Sequence, residues 1–417
     1  MNILNFIYSR KYEGIYCKTR ILGICITTKP KRIPKRYIDK IIKREFEIIK
    51  NKNYEEKDKK LAVLIAAGIG DYFLFRPFLQ HIREYYKDYN ITLIVAILSG
   101  DYKDIIMEFD SELIDEIILF KILNNKNVYN KVQIAFSNIK YDILISHFYG
   151  RGGHFDDLVQ IINSNKKIGS FGSLWHTSQY KRATSSYYYD EIIYNKIDED
   201  ETVHELDRNK NFFEQVLNKK IEINTVNIKL KDEYFAKIDF NFNDKYCILF
   251  PFTSDSGRYY NINNFIKIAQ HLYYKYNIIS YIVGSKNDIK NTDKIINNFN
   301  EKFIKNICGE YKLNELFYIF NKARLIISID SAGYHIGVHT NKNVICISCG
   351  QSYHRYLKYS DNYVKDKNIN IILPKELEID MKNNTTKIGF EYCPMYDINS
   401  ISTDYVVNLI DEKYNLT

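Results

Sequence analysis

The sequence contains few residues that interrupt regular structure, and it lacks any long apolar run. Its 417 residues include only six prolines and seventeen glycines, which leaves little room for long structureless linkers. No stretch approaches the ~18 consecutive apolar residues that a membrane-spanning helix needs, so we predict no membrane span. The first residues, "MNILNFIYSRKYEG", have too little apolar length and no cleavage site for a secretory signal.

Cysteine is also scarce, and its number is odd. The seven cysteines are scattered, mostly within apolar runs: Cys17, Cys25, Cys247, Cys308, Cys346, Cys349 and Cys393. This distribution indicates buried, reduced thiols in a reducing compartment. We therefore predict a cytoplasmic protein without structural disulfides.

The chain is, however, long, apolar and basic. At 417 residues it exceeds what one hydrophobic core usually serves, so two domains are expected. A hydrophobic content of 45% excludes general disorder. The net charge of +8 favours acidic partners, which are nucleotide phosphates, anionic lipid surfaces or nucleic acid.

The positive charge is uneven, with a dense cluster in residues 29–44, "KPKRIPKRYIDKIIKR". Its isoleucines and Tyr37 recur at roughly helical spacing, so the segment could lie on an anionic membrane and contact it weakly. Alternatively, the apolar side packs on the first domain and the charges face water.

Strand and helix patterns alternate in two series, which is typical of βαβ units and parallel sheets. The fold class predicted is α/β with two Rossmann-like domains and a C-terminal helix. The predicted divisions are a basic N-terminal extension (1–58), a first domain (59–220), a second domain (221–400) and a C-terminal helix (401–417).

An unusual acid follows the first buried strand. The apolar run Leu61–Ala67 leads through Gly68 and Gly70 to Asp71. A dinucleotide fingerprint would need glycine where Phe73 stands, and no Lys-Ser/Thr pair of a P-loop is present. The carboxylate lies at the strand edge where α/β sheets bind ligands. It could be a functional base, or it could simply cap the following helix.

Two loops in the second half have the composition of phosphate-binding sites. "ISIDSAGYHIG" follows a strand with Asp330, Ser331, Ala332 and Gly333 at the start of a helix, where exposed N–H groups can bind phosphate. The loop in "FPFTSDSGRYY" offers hydroxyl groups and a guanidinium, from Thr253, Ser254 and Arg258. Together with Asp71, these loops suggest a nucleotide-linked donor facing a general base.

Several other groups allow more than one interpretation. His335 and His339 are four residues apart, but the glutamate of the metalloprotease motif is missing, so a hydrogen bond in the donor site or plain burial is favoured over a metal. Cys346 and Cys349 would point to opposite faces of a strand, which favours buried thiols. The glycine-rich loop with His147, Arg151 and His154 could bind an anionic acceptor or be a solvated turn.

Four segments together resemble glycosyltransferase family 9, the ADP-heptose:lipopolysaccharide heptosyltransferase-like enzymes. They are "AGIGDYFLFRPFL", "VHELDRN", "RYYNINNF" and "GEYKLNELFYIFNKARLIISIDSAGYHIGVH". The first resembles the family's Gly-Asp motif, the second its interdomain helix motif, the third its Lys-Arg-Trp-Pro-x-x-x-Phe stretch and the fourth its Asp-Ser/Thr-Gly-x-x-His donor motif. The resemblance runs from about residue 60 to 415 in the family's order.

This resemblance implies a GT-B fold, two Rossmann-like domains facing a cleft, and inverting glycosyl transfer without a metal or other cofactor. Asp71 would be the catalytic base. The implied donor-binding residues are Thr253, Ser254, Arg258, Asp330, Ser331, Ala332, Gly333 and His335, and the acceptor-binding residues are Gly70, His147, Arg151 and His154. The donor would be a nucleotide sugar such as ADP-heptose, and the acceptor a lipopolysaccharide, lipo-oligosaccharide or other glycan, reached at the inner face of the cytoplasmic membrane.

Two other classes of protein remain open at this point. A GT-B-type nucleotide-sugar epimerase would share the fold and need no separate acceptor. A non-catalytic nucleic-acid-binding protein is compatible with the charge, but no recognition motif is present and the aromatic residues are spread along the chain.

Overall fold

The computed structural model describes residues 8–13, 16–28, 34–65, 68–97, 103–122, 127–174, 177–194, 197, 202–253, 255–296 and 302–416. The chain divides into two compact units. The first comprises Met1–Lys103, Asp110–Asp200 and Arg208–Ile221, and the second Asp104–Phe109, Glu201–Asp207 and Glu222–Thr417. The main change of unit therefore falls at residue 221, and two short segments before it belong to the second unit.

The first unit contains two sheets. Its strands are β1 (Tyr8–Glu13), β2 (Tyr16–Ile21), β3 (Ile24–Thr28), β4 (Phe46–Lys50), β5 (Lys59–Ile65), β6 (Tyr89–Ile97), β7 (Glu116–Lys121), β8 (Tyr141–Ser146), β9 (Ser164–Ser170) and β10 (Glu191–Ile193). Its helices are α1 (Lys35–Glu45), α2 (Ile69–Phe75), α3 (Leu79–Tyr85), α5 (Asn127–Ala135), α6 (Gly153–Ile161), α7 (Gln179–Ser186) and most of α8 (Glu205–Val216), while α4 (Lys103–Phe109) lies almost entirely in the second unit. Strands β1 to β3 form an antiparallel sheet.

The main sheet of the first unit has the strand order β10-β9-β8-β5-β6-β7-β4. Its strands are parallel except β4, which runs antiparallel to β7. The five residues from Leu61 to Ile65 in the central strand β5 are all buried. An uninterrupted apolar run is expected there, because a central parallel strand is covered on both faces.

The basic segment near the N-terminus is built into the first unit. Helix α1 buries Ile38 and Ile41 against Ile134 of α5, and β4 extends the main sheet. The sequence predicted a separate extension as far as residue 58, whereas residues 35–50 are part of this unit. The apolar side of α1 is therefore occupied by packing, as in the second of the two interpretations above.

The second unit contains one parallel sheet, in the order β13-β12-β11-β14-β15-β16. Its strands are β11 (Tyr246–Phe250), β12 (Ile279–Ile282), β13 (Ile304–Asn306), β14 (Ile326–Ile329), β15 (Asn343–Ile347) and β16 (Asn368–Ile372). Its further helices are α9 (Asp232–Phe235), α10 (Ile262–Tyr276), α11 (Ile289–Ile296), α12 (Leu313–Lys322), α13 (Ala332–Thr340), α14 (Lys375–Asn383) and α15 (Thr403–Lys413).

The C-terminal helix α15 is an integral part of the second unit. Its Val406 and Ile410 lie in the same buried cluster as Phe265 and Leu272 of α10. The predicted C-terminal helix is thus present, at Thr403–Lys413, and it packs on α10. None of the helices in the described part of the chain has the length and apolar character needed to cross a bilayer.

Candidate functional site

Asp71 lies just beyond the carboxyl end of β5, as the third residue of α2. Strands β5 and β8 are neighbours, and the chain leaves them toward opposite sides of the sheet, which makes this edge a topological switch point. Ligands of open α/β sheets bind at such points. The backbone N–H of Gly68 donates a hydrogen bond to Asp71 Oδ2 at 3.1 Å. Asp71 therefore caps its helix, while its role as a base stays a prediction.

Helix α2 is fixed in the first unit by a buried ion pair. Asp110 accepts a hydrogen bond from the Tyr72 hydroxyl at 2.6 Å, and its two oxygens accept from Arg76 Nη2 at 2.7 Å and Nε at 3.1 Å. Asp110 is 2% exposed. Bidentate pairs of this kind are short and directional, so they restrict where the residue next to Tyr72, which is Asp71, can lie.

A second contact also fixes the C-terminal half of α2. The side-chain amide of Asn209 in α8 donates to the backbone carbonyl of Leu74 at 3.0 Å. The Asn209 Oδ1 lies 2.9 Å from Nδ1 of His147, and the His147 ring stacks on Phe75 with centroids 4.7 Å apart. Asn209 thus joins α2 to the residue that follows β8. His147 is buried, and its predicted contact with an acceptor remains untested.

Arg151 lies in the interior of the first unit. Its Nε donates to Asp156 at 2.8 Å, Nη1 to the carbonyl of Ser170 at 3.0 Å and Nη2 to the Ser185 hydroxyl at 2.9 Å. A buried guanidinium with hydrogen bonds from all three nitrogens is typical of a structural ion pair. Gly70 precedes Asp71 within α2, and the side chain of His154 lies outside the described part of the structure.

The second unit has its own switch point, between β11 and β14. The loop after β11 is ordered by its own side chains. The N–H of Asp255 donates to the Thr253 hydroxyl at 3.2 Å, and Asp255 Oδ1 accepts from the N–H of Gly257 at 2.9 Å. Ser254, which was predicted to bind the donor, lies outside the described residues.

Arg258 and Asp330 connect the two loops at this switch point. Arg258 Nη1 lies 3.3 Å from Asp330 Oδ2, and Nε lies 3.5 Å from Asp255 Oδ2. Burial raises the pKa of Asp330 above its usual value, although the Arg258 charge acts in the opposite direction. The structure therefore brings together two predicted donor residues that are 72 positions apart in the sequence.

Ser331 is the N-cap residue of α13, with an extended backbone. Its hydroxyl lies 3.3 Å from the carbonyl of Ile329, and the N–H groups of Ala332 and Gly333 are in the first turn of the helix. A Cβ at Gly333 would lie 2.3 Å from Cγ of Phe250 in β11. Only glycine permits this close approach of helix and strand. The first turn of α13 presents backbone N–H groups that have no acceptor within the helix, at the positive end of the helix dipole. Anions commonly bind at such a helix start.

His335 is buried within the second unit. Its Nδ1 lies 2.9 Å from the Tyr359 hydroxyl. Burial, together with the nearby His204, lowers the pKa of His335 to about 3, so the imidazole is neutral at pH 7. The Tyr359 hydroxyl also lies 3.4 Å from Nε2 of His339. The two histidines are thus bonded around a tyrosine, and a donor contact of His335 stays a prediction.

The cysteines and the acidic side chains show no metal-ligand arrangement within the described ranges. No group of three or more His, Cys, Asp or Glu side chains there could hold a metal ion. Cys346 and Cys349 are buried, and Cys393 is exposed. Burial raises the pKa of the Cys346 thiol well above its usual value, which disfavours the thiolate that a metal would need.

Residues 177–383 match the model of the family described as glycosyltransferase family 9 (heptosyltransferase). This part of the chain belongs to glycosyltransferase family 9. It is therefore a glycosyltransferase, and the resemblance seen in the sequence is confirmed. A comparison with curated proteins found no match.

Solved structures of family 9 enzymes share the fold. The glycosyl transferase family 9 protein of Veillonella parvula is 16% identical, with a TM-score of 0.62 over 85% of this chain and 97% of that one. Escherichia coli heptosyltransferase WaaC with ADP is 12% identical, with a TM-score of 0.59 over 85% and 99%. E. coli ADP-heptose lipopolysaccharide heptosyltransferase II is 11% identical, with a TM-score of 0.56 over 85% and 98%. The predicted GT-B fold with two Rossmann-like domains is confirmed.

Sequence reasoning missed several residues that order the candidate site. Asp110 and Asn209 fix α2 in the first unit, and Arg355 of the second unit donates to Glu205 at 2.9 Å. Of these, Glu205 and Asn209 belong to "VHELDRN", which was recognised only as a motif. The available signal was the density of polar residues at the start of an otherwise amphipathic helix, since polar side chains that are buried there must be hydrogen-bonded.

Proposed function

We propose that this family 9 glycosyltransferase transfers a sugar from a nucleotide-sugar donor to a glycan acceptor, with inversion and without a metal. ADP-heptose is the first donor to test, because heptosyltransferase structures are among the similar ones. Lipopolysaccharide or lipo-oligosaccharide is the first acceptor. The observation that supports this proposal best is the pair of switch points, one with a carboxylate and one with phosphate-binding groups.

The second unit would bind the donor. Arg258, the Ser331 hydroxyl and the N–H groups of Ala332 and Gly333 are suited to a diphosphate, which becomes more negative as the glycosidic bond to it breaks. Pre-arranged donors and positive charge stabilise such developing charge more than they stabilise the bound ground state. No metal ion is required in this scheme, because a guanidinium and a helix N-terminus supply the positive potential.

Asp71 of the first unit would remove the proton from the attacking acceptor hydroxyl. The hydroxyl oxygen then attacks the anomeric carbon, the bond to the diphosphate breaks and the configuration inverts. The hydrogen bond from Gly68 fixes one oxygen of the carboxylate, so capping the helix and orienting the base are compatible. A placed general base contributes roughly 10²–10⁴-fold to rate.

The acceptor is proposed to be a lipid-anchored glycan at the cytoplasmic face of the membrane. Since Ile38 and Ile41 are buried and Tyr37 and Ile42 pack against them, a contact of α1 with an anionic surface would rest mainly on charge. Within α1 the exposed basic residues are Lys35, Arg36, Lys40, Lys43 and Arg44. Such contact would be weak and would decrease with rising salt.

A donor-turnover assay tests the proposed function. Purified protein is incubated with ADP-heptose, and with UDP and GDP sugars, in the presence and absence of truncated lipo-oligosaccharide. We expect release of nucleoside diphosphate and a heavier acceptor only when both substrates are present. Conversion of a nucleotide sugar without any acceptor would instead indicate an epimerase and overturn the proposal.

Asp71→Asn is the decisive variant in this assay. It should reduce turnover by about 10²–10⁴-fold while donor affinity stays near wild type. Asp404→Asn is the matched control, because Asp404 is an exposed acid in the first turn of α15. Equal, near-normal turnover in both variants would leave Asp71 with a capping role only.

A further inference from the structure

A second group of polar residues lies beside the candidate donor loops of the second unit. The loop after β15 is joined to the segment around Glu391. The N–H of Ser352 donates to the carbonyl of Glu391 at 3.0 Å, and Gln351 Nε2 donates to the carbonyl of Tyr392 at 3.1 Å. These two bonds fix the side chains of Gln351 and Glu391 on adjoining stretches of chain.

Glu391 uses only one of its carboxylate oxygens within the described structure. Its Oε1 lies 2.5 Å from Nδ1 of His354 and accepts from the His354 N–H at 3.2 Å. The residue is 7% exposed, and its Oε2 is buried with no hydrogen-bond partner among the described residues. A buried carboxylate oxygen without a donor is costly, so its presence calls for an explanation.

Gln351 presents a second oxygen of the same kind. Because its Nε2 donates to a carbonyl, its Oε1 must point the other way, and this oxygen also is buried without a partner in the described ranges. The two adjoining residues thus provide two hydrogen-bond acceptors that have no donor among the described residues. Their natural complement is a group that carries several donors, such as the hydroxyls of a sugar.

The backbone of this loop is in an unusual conformation. Gly350 has φ of +91°, and a Cβ there would lie 2.1 Å from Cδ2 of Leu377. Ser352 also has a positive φ, of +55°, although it is not glycine. Left-handed backbone at a non-glycine residue is strained, and such strain is concentrated at functional sites.

Gln351 and Glu391 lie near the loops that carry Arg258 and Asp330. Strand β15 is the neighbour of β14, which leads into Asp330. The charges of Asp330 and Arg258 act on the thiol of Cys349, in the loop after β15. On the other side, a Cβ at Gly257 would lie 2.3 Å from Cγ of Pro394. The segment that contains Glu391 therefore packs against the residue that precedes Arg258.

We propose that Gln351 and Glu391 bind hydroxyl groups of the nucleotide-sugar donor. The inference rests on the proposed function, since it places sugar hydroxyls beside the diphosphate that Arg258 and the start of α13 would bind. Those hydroxyls belong either to the ribose of the nucleotide or to the transferred sugar. Both carry the donors that the two unpartnered oxygens lack.

Glu391→Gln tests this assignment with little disturbance. The substituted amide oxygen can still accept from His354, whereas the amide nitrogen replaces the acceptor Oε2 by a donor. Glu412→Gln is the control, because it removes one acid from an exposed position of α15 in the same unit. Gln351→Met is the second variant, and unfolding without ligand is compared for all proteins.

Calorimetry measures binding of ADP, UDP and GDP, and of ADP-heptose and the corresponding UDP and GDP sugars. If the hydroxyls are those of the transferred sugar, Glu391→Gln and Gln351→Met weaken binding of the nucleotide sugar by at least about tenfold and leave the free diphosphate unchanged. If they are those of the ribose, both ligands weaken equally. Wild-type affinity for both ligands in a folded Glu391→Gln protein would overturn the inference and leave the proposed function intact. No binding of any nucleotide by the wild-type protein would overturn the proposed function itself.

Discussion

Replacement of Asn209 by alanine tests whether the position of α2 matters for catalysis. The change removes the bond from Nδ2 to the Leu74 carbonyl and the contact of Oδ1 with His147. Each bond has a net worth of about 1 kcal/mol, and a buried group that is left without a partner costs about 1–3 kcal/mol. Leu74 and Asn209 are both buried, so the local free energy of opening α2 should fall by about 3 kcal/mol.

Hydrogen exchange of α2 is the direct measurement. A loss of about 3 kcal/mol corresponds to roughly a 10²-fold increase in the opening constant, since 1.4 kcal/mol is a factor of ten. Amides of residues 69–75 should therefore exchange about 10²-fold faster in Asn209→Ala. Gln215→Ala is the control, because Gln215 lies exposed on the same helix and its side chain hydrogen-bonds to Asn211, so its effect should stay within about 0.5 kcal/mol.

Turnover distinguishes a positioning role from simple destabilisation. A displacement of about 1 Å at a catalytic group can cost roughly 10²-fold, so the kcat of Asn209→Ala should fall. The donor affinity, which we propose to depend on the second unit, should stay unchanged. Faster exchange of α2 with a normal kcat would refute the reasoning, because Asp71 would then act without a fixed helix. Equal effects of Asn209→Ala and Gln215→Ala would refute it as well.

Three further predictions concern charge and pH. Arg258→Ala should weaken nucleoside-diphosphate binding by about 10–10²-fold, the worth of one charged hydrogen bond, and Arg258→Lys should restore much of it; calorimetry giving one affinity for all three proteins would move the phosphate site elsewhere. The pKa of His335 in the folded protein, about 3, lies below its unfolded value of about 6.5, so the unfolded chain binds more protons between these two pH values. The contribution of His335 to the free energy of unfolding is therefore complete above pH 6.5. It declines as the pH falls toward 3, by at most about 1.4 kcal/mol per pH unit. Urea unfolding at pH 7, 6 and 5 should therefore show a shallower decline for His335→Gln, and parallel declines would contradict the assignment. Joint replacement of Arg36, Lys40 and Lys43 by serine should reduce sedimentation with anionic liposomes at low salt, where each charge contributes about 1 kcal/mol at most; no binding by the wild-type protein, or equal binding by both, would argue against a membrane contact of α1.

Much of the candidate site could be predicted because it follows strands. Asp71 comes after the apolar run of β5, and Asp330 and Ser331 come after that of β14. In parallel sheets the residues that follow the strands lie together at one edge. Polar residues at predicted strand ends can therefore be proposed as ligand-binding residues without knowledge of the packing. Arg258 was found in the same way, from the loop after β11.

Burial was the part that the local pattern left open. Residues 35–45 have the charge of a surface helix, and the structure adds that the apolar side of this helix packs on α5. The residues around Arg151 have the composition of an anion-binding loop, yet the Arg151 guanidinium pairs with Asp156 in the interior of the first unit. A charged residue can be buried when a partner elsewhere in the chain compensates it, and sequence gives no distance to that partner.

The amino-acid pattern alone was enough to predict the α/β class, the two series of strands, the resemblance to family 9 and the loops that carry Asp71 and Asp330. These features depend on periodicity and on residues that are close in the chain. Which polar side chains meet depends on the three-dimensional fold. Asn209 bonds to Leu74, 135 positions away, and His354 to Glu391, 37 positions away. Such pairs form because a buried polar atom must find a partner wherever the fold offers one, and that geometry exists only after the sheets have assembled.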